Sequence, residues 1–313
     1  MGAILFRRLG WLPIVLIGVS IITFAFTYLS AGDPAMHIFW ARYGQEMAPS
    51  EELLARIRVE AGLDKPIPIQ YLNWLGRILR GDLGESFLDK KPIISILARR
   101  IPVTLEVGGA SLLLALLIAL PLGTWAATHP YSWVDSLSLM LSNTGVAIPQ
   151  YWIGPVLILV FSVHFRLLPT AGWGTPKHLV MPVLTLFLVP LAFFTRMVRA
   201  GLLEVLEQDY IRTAHAKGLS RRTVLWRHAF KNAFIPLVSV VGLQITGIIA
   251  GSVIVESIFA IPGIGSATYQ AVLWRDLPLI QACTLVFVTT AVVANALADV
   301  VYVLLNPAIS YNG

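Results

Sequence analysis

Residues 107–134 read Val-Gly-Gly-Ala-Ser-Leu-Leu-Leu-Ala-Leu-Leu-Ile-Ala-Leu-Pro-Leu-Gly-Thr-Trp-Ala-Ala-Thr-His-Pro-Tyr-Ser-Trp-Val, an unbroken run without Asp, Glu, Lys or Arg. At 1.5 Å per helical residue, about 20 residues cross a hydrocarbon core of roughly 30 Å. The run is long enough to span a bilayer. Five further stretches have the same character: 9–32, 136–165, 178–195, 232–255 and 277–298. The 178–195 stretch is the shortest, and Arg196 at its end can snorkel. Only closed backbone hydrogen bonding survives in lipid, so these stretches predict six transmembrane helices.

Composition agrees. Of 313 residues, 57% are hydrophobic and 13% charged, about half the charged share of a soluble domain. A soluble chain of this size would need more charge to cover its surface. The formal net charge of +6 fits cytoplasmic loops better than nucleic-acid binding. A single cysteine, Cys283, excludes a disulfide framework. Arg7 and Arg8 ahead of the first stretch could mark a signal peptide cleaved near Ser30-Ala31. Signal cores run about 7–15 residues and this one is longer, so a retained helix is expected.

Between the fourth and fifth stretches, Arg196, Arg199, Arg212, Lys217, Arg221, Arg222, Arg227 and Lys231 face only Glu204, Glu207 and Asp209. Short loops rich in Lys and Arg stay cytoplasmic, which puts both termini inside. The 128–135 connection is then also inside, and it carries no Lys or Arg. The segment from Asp33 to Arg100 falls outside, with ten basic and nine acidic residues. Pro49-Ser50-Glu51-Glu52 ahead of Leu53, Leu54 and Ile57 predicts a capped amphipathic helix ended by Gly62. Ile69–Leu79 and Ile93–Ile101 are further candidates for surface helices. So long a connection is expected to be a docking or gating platform rather than a mere link.

The chemistry of an enzyme or self-powered pump is missing. No Gly-Lys pair occurs, hence no phosphate loop, and no H-E-x-x-H motif is present. The histidines, His37, His129, His164, His178, His215 and His228, are scattered without metal-ligand spacing. Ser111 and Ser142 suit helix–helix hydrogen bonds rather than catalysis. Glu106, and Asp299 with Asn295 one turn earlier, sit at span edges and are candidate functional groups. Asn143, Gln150, Gln244 and Thr246 are polar groups inside spans. Gly247-x-x-x-Gly251 permits close helix contact, and Gly145, Pro149 and Pro155 interrupt the third span.

The basic loop predicts a helix over Leu202–Ala216, a turn at Gly218 and a second helix over Ser220–Asn232 capped by Ser220. Within it, Asp209-Tyr210-Ile211-Arg212-Thr213-Ala214-His215-Ala216-Lys217-Gly218-Leu219-Ser220 resembles the coupling loop of ABC importer permeases. Arg212 and Thr213 replace the Glu and first Ala of that family's E-A-A-x-x-x-G signature, while Ala214 and Gly218 keep register. The departure is similar to the branch importing peptides, nickel and opines. Further matches run along nearly the whole chain: Gly32-Asp33-Pro34, Gly62-Leu63-Asp64-Lys65-Pro66, Gly81-Asp82-Leu83-Gly84, Pro102-x-Thr104-Leu105 and Leu168-Pro169-Thr170. His228 to Pro236, the run Gly251-Ser252 to Glu256, Ile258-Phe259 and Pro262-Gly263-Ile264-Gly265, Arg275-Asp276-x-Pro278, Asn295-x-x-x-Asp299 and Asn306-Pro307 complete the series. The chain resembles the first of the two permeases, the one with the longer external segment.

That resemblance implies an all-α membrane domain. Residues 1–8 would be a cytoplasmic N-terminus, 9–32 the first span and 33–102 an extracytoplasmic segment. Residues 103–306 would form the transmembrane core, with a coupling loop at about 202–232, and 307–313 a cytoplasmic tail. It implies pairing with a second homologous permease, two ATPase subunits on the coupling loops and an external substrate-binding protein, in a bacterial or archaeal plasma membrane. ATP and magnesium would belong to the ATPases, with no cofactor, metal or catalytic residue in this chain. The expected ATPase contact comprises Asp209, Arg212, Ala214, Ala216, Lys217, Gly218 and Arg221. Arg212, Lys217 and Arg221 could equally face anionic headgroups. Glu256, Pro262, Gly263 and Gly265 suit an external gate, or a plain helix-ending turn. The cargo expected first is a di- or oligopeptide, with a nickel chelate, opine or glutathione-like peptide as alternatives. An ATP-independent secondary transporter is the reading from outside the family, disfavoured by the scarcity of mid-membrane carboxylates.

Overall fold

The computed structural model describes residues 2–29, 32–44 and 47–305. Ser30-Ala31, Asn306-Pro307 and the 307–313 tail therefore lie outside the described residues. The chain is built from helices. An α1 of Gly2–Leu29 is followed by three shorter helices, α2 (Pro34–Tyr43), α3 (Glu51–Glu60) and α4 (Ile67–Leu79). Next come α5 (Ile93–Thr128), α6 (Trp133–Ala147) and α7 (Gln150–Leu157), which continues as a π-helical stretch, Ile158–His164. The long α8 (Pro176–Leu206) leads to α9 (Asp209–Ala216) and a broken helix: α10 (Arg221–Thr223), a π-helical Val224–Ala229, and α11 (Phe230–Ala233). The chain closes with α12 (Ile235–Ile258), α13 (Ile264–Leu273) and α14 (Leu277–Leu305).

Among the described residues, four helices are long and apolar enough to cross a membrane unaided: α5, α8, α12 and α14. The number rises to six if α1 with α2, and α6 with α7, each count as one bent span. The expected third span, 136–165, is thus not one straight helix. Its two halves meet at 102°. Ile148 is extended (φ −86°, ψ 122°) because Pro149 disfavours helical backbone in the residue before it, and Pro149 has no N–H to continue the ladder. The expected surface helix Ile93–Ile101 is also corrected. It is the first part of α5, which runs on through Pro102 and past Arg99, Arg100 and Glu106. The helix foreseen over Leu202–Ala216 is two pieces, since α8 ends at Leu206 and Gln208 (φ −69°, ψ 148°) starts α9 afresh.

The α8 helix is the axle of the bundle. Over half of its apolar window is buried (56%), against 28–33% for the other three long spans. Small residues let neighbours come close. A Cβ on Gly123 of α5 would lie 2.8 Å from Val198, and one on Gly201 would lie 2.7 Å from the Ala233 carbonyl of α11. Of the Gly247/Gly251 pair, Gly251 makes a tight approach, to Gln150 and Leu186, while Gly247 meets nothing within 4 Å. The outer surfaces stay apolar, with Leu113 and Leu117 of α5, Ile21 and Ile22 of α1, and Leu297 and Leu304 of α14 exposed. A surface of this kind is matched to hydrocarbon rather than water.

Antiparallel packing sorts the loops to two ends. One end holds α9–α11, the close of α5 and the start of α6. The other holds α13, the start of α5 and α14, and α2–α4, and there Gln281 of α14 donates from Nε2 to Thr27 Oγ1, near the close of α1, at 2.8 Å.

Candidate functional site

At the first end, α9–α11 form a hairpin pressed onto the foot of α8. Ile211 and Ala214 of α9 are buried with Leu202, Val224, Ala229 and Ala233 in one apolar cluster. The turn is a Schellman closure. The Gly218 N–H donates to the His215 carbonyl at 2.9 Å and the Leu219 N–H to the Ala214 carbonyl at 3.3 Å, with Gly218 at φ +80°. A Cβ at Gly218 would meet nothing within 4 Å, so its conformation, not space, demands glycine. Ser220 caps the next helix by accepting the Thr223 N–H at 3.3 Å. The Asn232 side-chain amide then closes the hairpin by donating to the Tyr210 hydroxyl at 3.0 Å.

The sequence-predicted residues of this hairpin divide into two groups. Asp209, Arg212, Ala216, Lys217, Gly218 and Arg221 are exposed on its rim. Arg212 and Asp209 form an exposed pair at 3.6 Å. Ala214 instead points into the chain's own core and is buried. Beside the rim, Trp226 is exposed and stacks on Phe230 with centroids 4.3 Å apart.

Sequence reasoning missed what braces the hairpin end. Asp135, at the start of α6, accepts both Nε and NH2 of Arg199 on α8, the second at 3.0 Å, and also the Tyr131 N–H at 3.0 Å. Asp135 is buried and Arg199 mostly so. A fork of this kind fixes angle as well as distance. Nothing local signals it, since the partners are 64 residues apart.

At the opposite end, Glu256 is wholly buried. Its Oε1 accepts from Thr104 Oγ1 at 2.6 Å, and its Oε2 accepts the Ser266 N–H at 2.9 Å. Thr104 Oγ1 in turn accepts the Ile264 N–H at 2.9 Å. The first-turn amides of α13 point at these two side chains, and a helix N-terminus both lacks partners and favours negative charge. Glu256 therefore caps α13 from another helix while α5 supplies the bridging hydroxyl. Arg100 adds a clasp, donating to the Gly263 carbonyl and to Ser266 Oγ, each at 3.2 Å. Gly263 lies so near that a Cβ would land on the Glu256 carboxylate, and one on Gly265 would lie 2.6 Å from the Val253 backbone. Pro262 is exposed. The structure thus brings Glu256, Gly263 and Gly265 into one knot, with Pro262 at its surface.

A second buried carboxylate stands alongside. Asp276, 0% exposed, accepts from Ser86 Oγ at 2.5 Å and from the Phe87 and Leu279 N–H groups at 3.2 and 3.4 Å. It pins the 84–92 loop to the start of α14. Arg275, next to it, lies 5.4 Å over the Trp40 ring. A cavity of about 480 Å³ opens between α1, α2, α4 and the start of α14, lined in part by Phe24, Arg42, Gln70, Trp74 and Arg77. Among the polar candidates, Asn143 accepts from Arg196 at 2.9 Å and Asn295 donates to Thr246 at 3.3 Å. Glu106 is exposed on α5. Among the described residues no three His, Cys, Asp or Glu side chains gather as a metal site.

Comparison with known proteins is consistent along the chain. Residues 119–311 match the family described as binding-protein-dependent transport system inner membrane component, and residues 1–108 match its N-terminal counterpart. The dipeptide transport system permease protein DppB of Escherichia coli K12 is 35% identical, covering 97% of this chain and 98% of that protein. The oligopeptide transport system permease protein AppB of Bacillus subtilis 168 is 36% identical, covering 99% of this chain and 100% of that protein. Among solved structures, an inward-facing MetNI methionine ABC transporter chain aligns with a TM-score of 0.58 at 19% identity, over 69% of this chain and 99% of that one.

Proposed function

This chain belongs to the family of binding-protein-dependent transport system inner membrane components, and we propose that it forms half of a peptide-import pathway in a bacterial plasma membrane. The observation carrying the cargo assignment is end-to-end similarity to permeases of dipeptide and oligopeptide systems. In this reading a second, homologous permease completes the pathway, two ATPase subunits drive it with ATP and magnesium, and an external binding protein delivers the peptide. Residues 33–102 lie outside, the α9–α11 hairpin and both termini lie inside, and residues 103–306 form the core.

The hairpin carries the coupling. Its exposed rim, Asp209, Arg212, Ala216, Lys217, Gly218 and Arg221, meets the ATPase, while Ala214 works from the inside by seating α9 on α8. A push on the rim reaches the bundle through the buried Leu202–Ile211–Ala214 contact and through the Asp135–Arg199 fork. A rigid element with two stable positions is what a transport switch requires. The Glu256 knot, with Pro262, Gly263 and Gly265, supports the outer gate, because one carboxylate there ties α5, α12 and α13 together.

The test is uptake of a labelled dipeptide and of radioactive nickel, with and without chelator, in cells lacking the gene and in complemented cells. Gene-dependent dipeptide uptake, abolished by Gly218→Asp with the protein still in the membrane, supports the reading. Gene-dependent uptake of nickel alone overturns the peptide assignment, and unimpaired uptake by Gly218→Asp overturns the coupling role.

A further inference from the structure

The α4 helix, Ile-Pro-Ile-Gln-Tyr-Leu-Asn-Trp-Leu-Gly-Arg-Ile-Leu, has no buried residue although most of its side chains are apolar. At about 100° per residue its side chains sort into three sectors. Tyr71 and Trp74 share one, and both pack on Phe24 of α1 with ring centroids 5.5 Å apart. Gln70, Asn73 and Arg77 share the next, where the Gln70 amide donates to the Lys65 carbonyl at 2.6 Å. Ile69, Leu72 and Leu79 share the third, at 46%, 63% and 78% exposure.

Contacts with α1 fix how deep the helix sits. Tyr28 donates to Gln70, and Tyr71 shares a hydrogen bond with Ser20 at 2.8 Å. Ser20 precedes Leu29, the end of α1, by 29 − 20 = 9 residues, or roughly 13 Å along the axis. The α1 residues Ile21 and Ile22, next in sequence to Ser20, are half-exposed or more and apolar.

We propose that α4 is an interfacial membrane helix, with Ile69, Leu72 and Leu79 seated among lipid acyl chains and Gln70, Asn73 and Arg77 at headgroup level. A helix with one strongly apolar side and one polar side settles in that plane. Tyr71 and Trp74 suit the same zone, where amphipathic rings collect. The inference rests on α1 crossing the bilayer. It makes part of the segment between the first two spans a membrane-seated element rather than a wholly aqueous one.

The experiment uses the full transport complex in proteoliposomes. Cys283 is buried and is replaced (Cys283→Ser), with retained uptake as the folding control. Single cysteines at Leu72, at Leu79, and at Val59 on the exposed side of α3 carry an environment-sensitive fluorophore. Nitroxide-bearing phospholipid is expected to quench the Leu72 and Leu79 labels at least twofold more than the Val59 label, and aqueous iodide the reverse. Iodide quenching at Leu72 equal to that at Val59 would overturn the proposal in favour of a water-facing helix. Protection from both quenchers would overturn it in favour of a protein partner on this face.

Discussion

Replacing Glu256 by alanine tests the knot at the α13 end. Two donors lose their acceptor: the Thr104 hydroxyl at 2.6 Å and the Ser266 N–H at 2.9 Å, both buried. Hydrogen bonds to a charged group contribute about 1.5–3 kcal/mol each, and a stranded buried donor costs a further fraction. Thr104 keeps one partner, since its oxygen still accepts the Ile264 N–H, which limits the loss. The expected destabilisation is about 3–5 kcal/mol. At about 2 °C per kcal/mol, the lower end for larger domains, the thermal midpoint of the purified complex should fall by about 6–10 °C. Glu256→Gln keeps one carbonyl oxygen and should lose about half as much. Thr104→Val should lose less in the Glu256→Ala background than in the parent, because only the acceptor of the Ile264 N–H then remains to be removed and neighbours sharing a hydrogen bond do not act additively. The assay is the temperature at which the detergent-solubilised complex loses its monodisperse elution peak. A Glu256→Ala midpoint within 2 °C of the parent, or additive Thr104 and Glu256 losses, would refute the capping argument.

Other expectations follow from the same geometry. Gly218→Ala should cost about 1–2 kcal/mol through its left-handed backbone, and Gly218→Asn less, so transport should rank Gly, Asn, Ala. Asp135→Asn should destabilise by about 2–3 kcal/mol in melting of the complex, and Asp135→Asn with Arg199→Met should recover part of that, because the stranded cation is the main cost. Gly201→Ala should cost about 1–3 kcal/mol and lower coupled uptake, because the Cβ meets the Ala233 carbonyl at 2.7 Å. Gly109→Ala, in open space on α5, should be neutral or slightly stabilising in the same melts.

The legible part of the fold was the part written in local composition. Spans without charge foretell α8, α12 and α14, and Ser50 and Ser220 act as the caps their spacing predicts. Arg99, Arg100 and Glu106 hid the first turns of α5, because a charge census cannot see that Arg100 is spent on the Gly263 carbonyl 163 residues away. The corner at Pro149 was foreseeable as an interruption, though not as a right-angle turn, since the angle is set by packing of α7 on α12. In the α9–α11 hairpin the turn at Gly218 was readable, but the inward direction of Ala214 depends on the foot of α8. The Asp135–Arg199 and Ser86–Asp276 contacts, 64 and 190 residues apart, left no trace in spacing at all.

The uninterrupted α8 has a mechanical consequence. Its 31 residues make a rod of about 46 Å, joined to α9 by only Glu207 and Gln208. Pivoting about the hairpin end, a tilt of about 5° would carry Pro176 sideways by about 4 Å, close to the diameter of a small side chain. The helix is thus a lever, softest where Pro182 and Pro190 each remove a ladder hydrogen bond. A stroke at the far face that could open or shut a passage for a peptide needs only a rotation small enough to leave the packing at Leu202 and Ile211 intact.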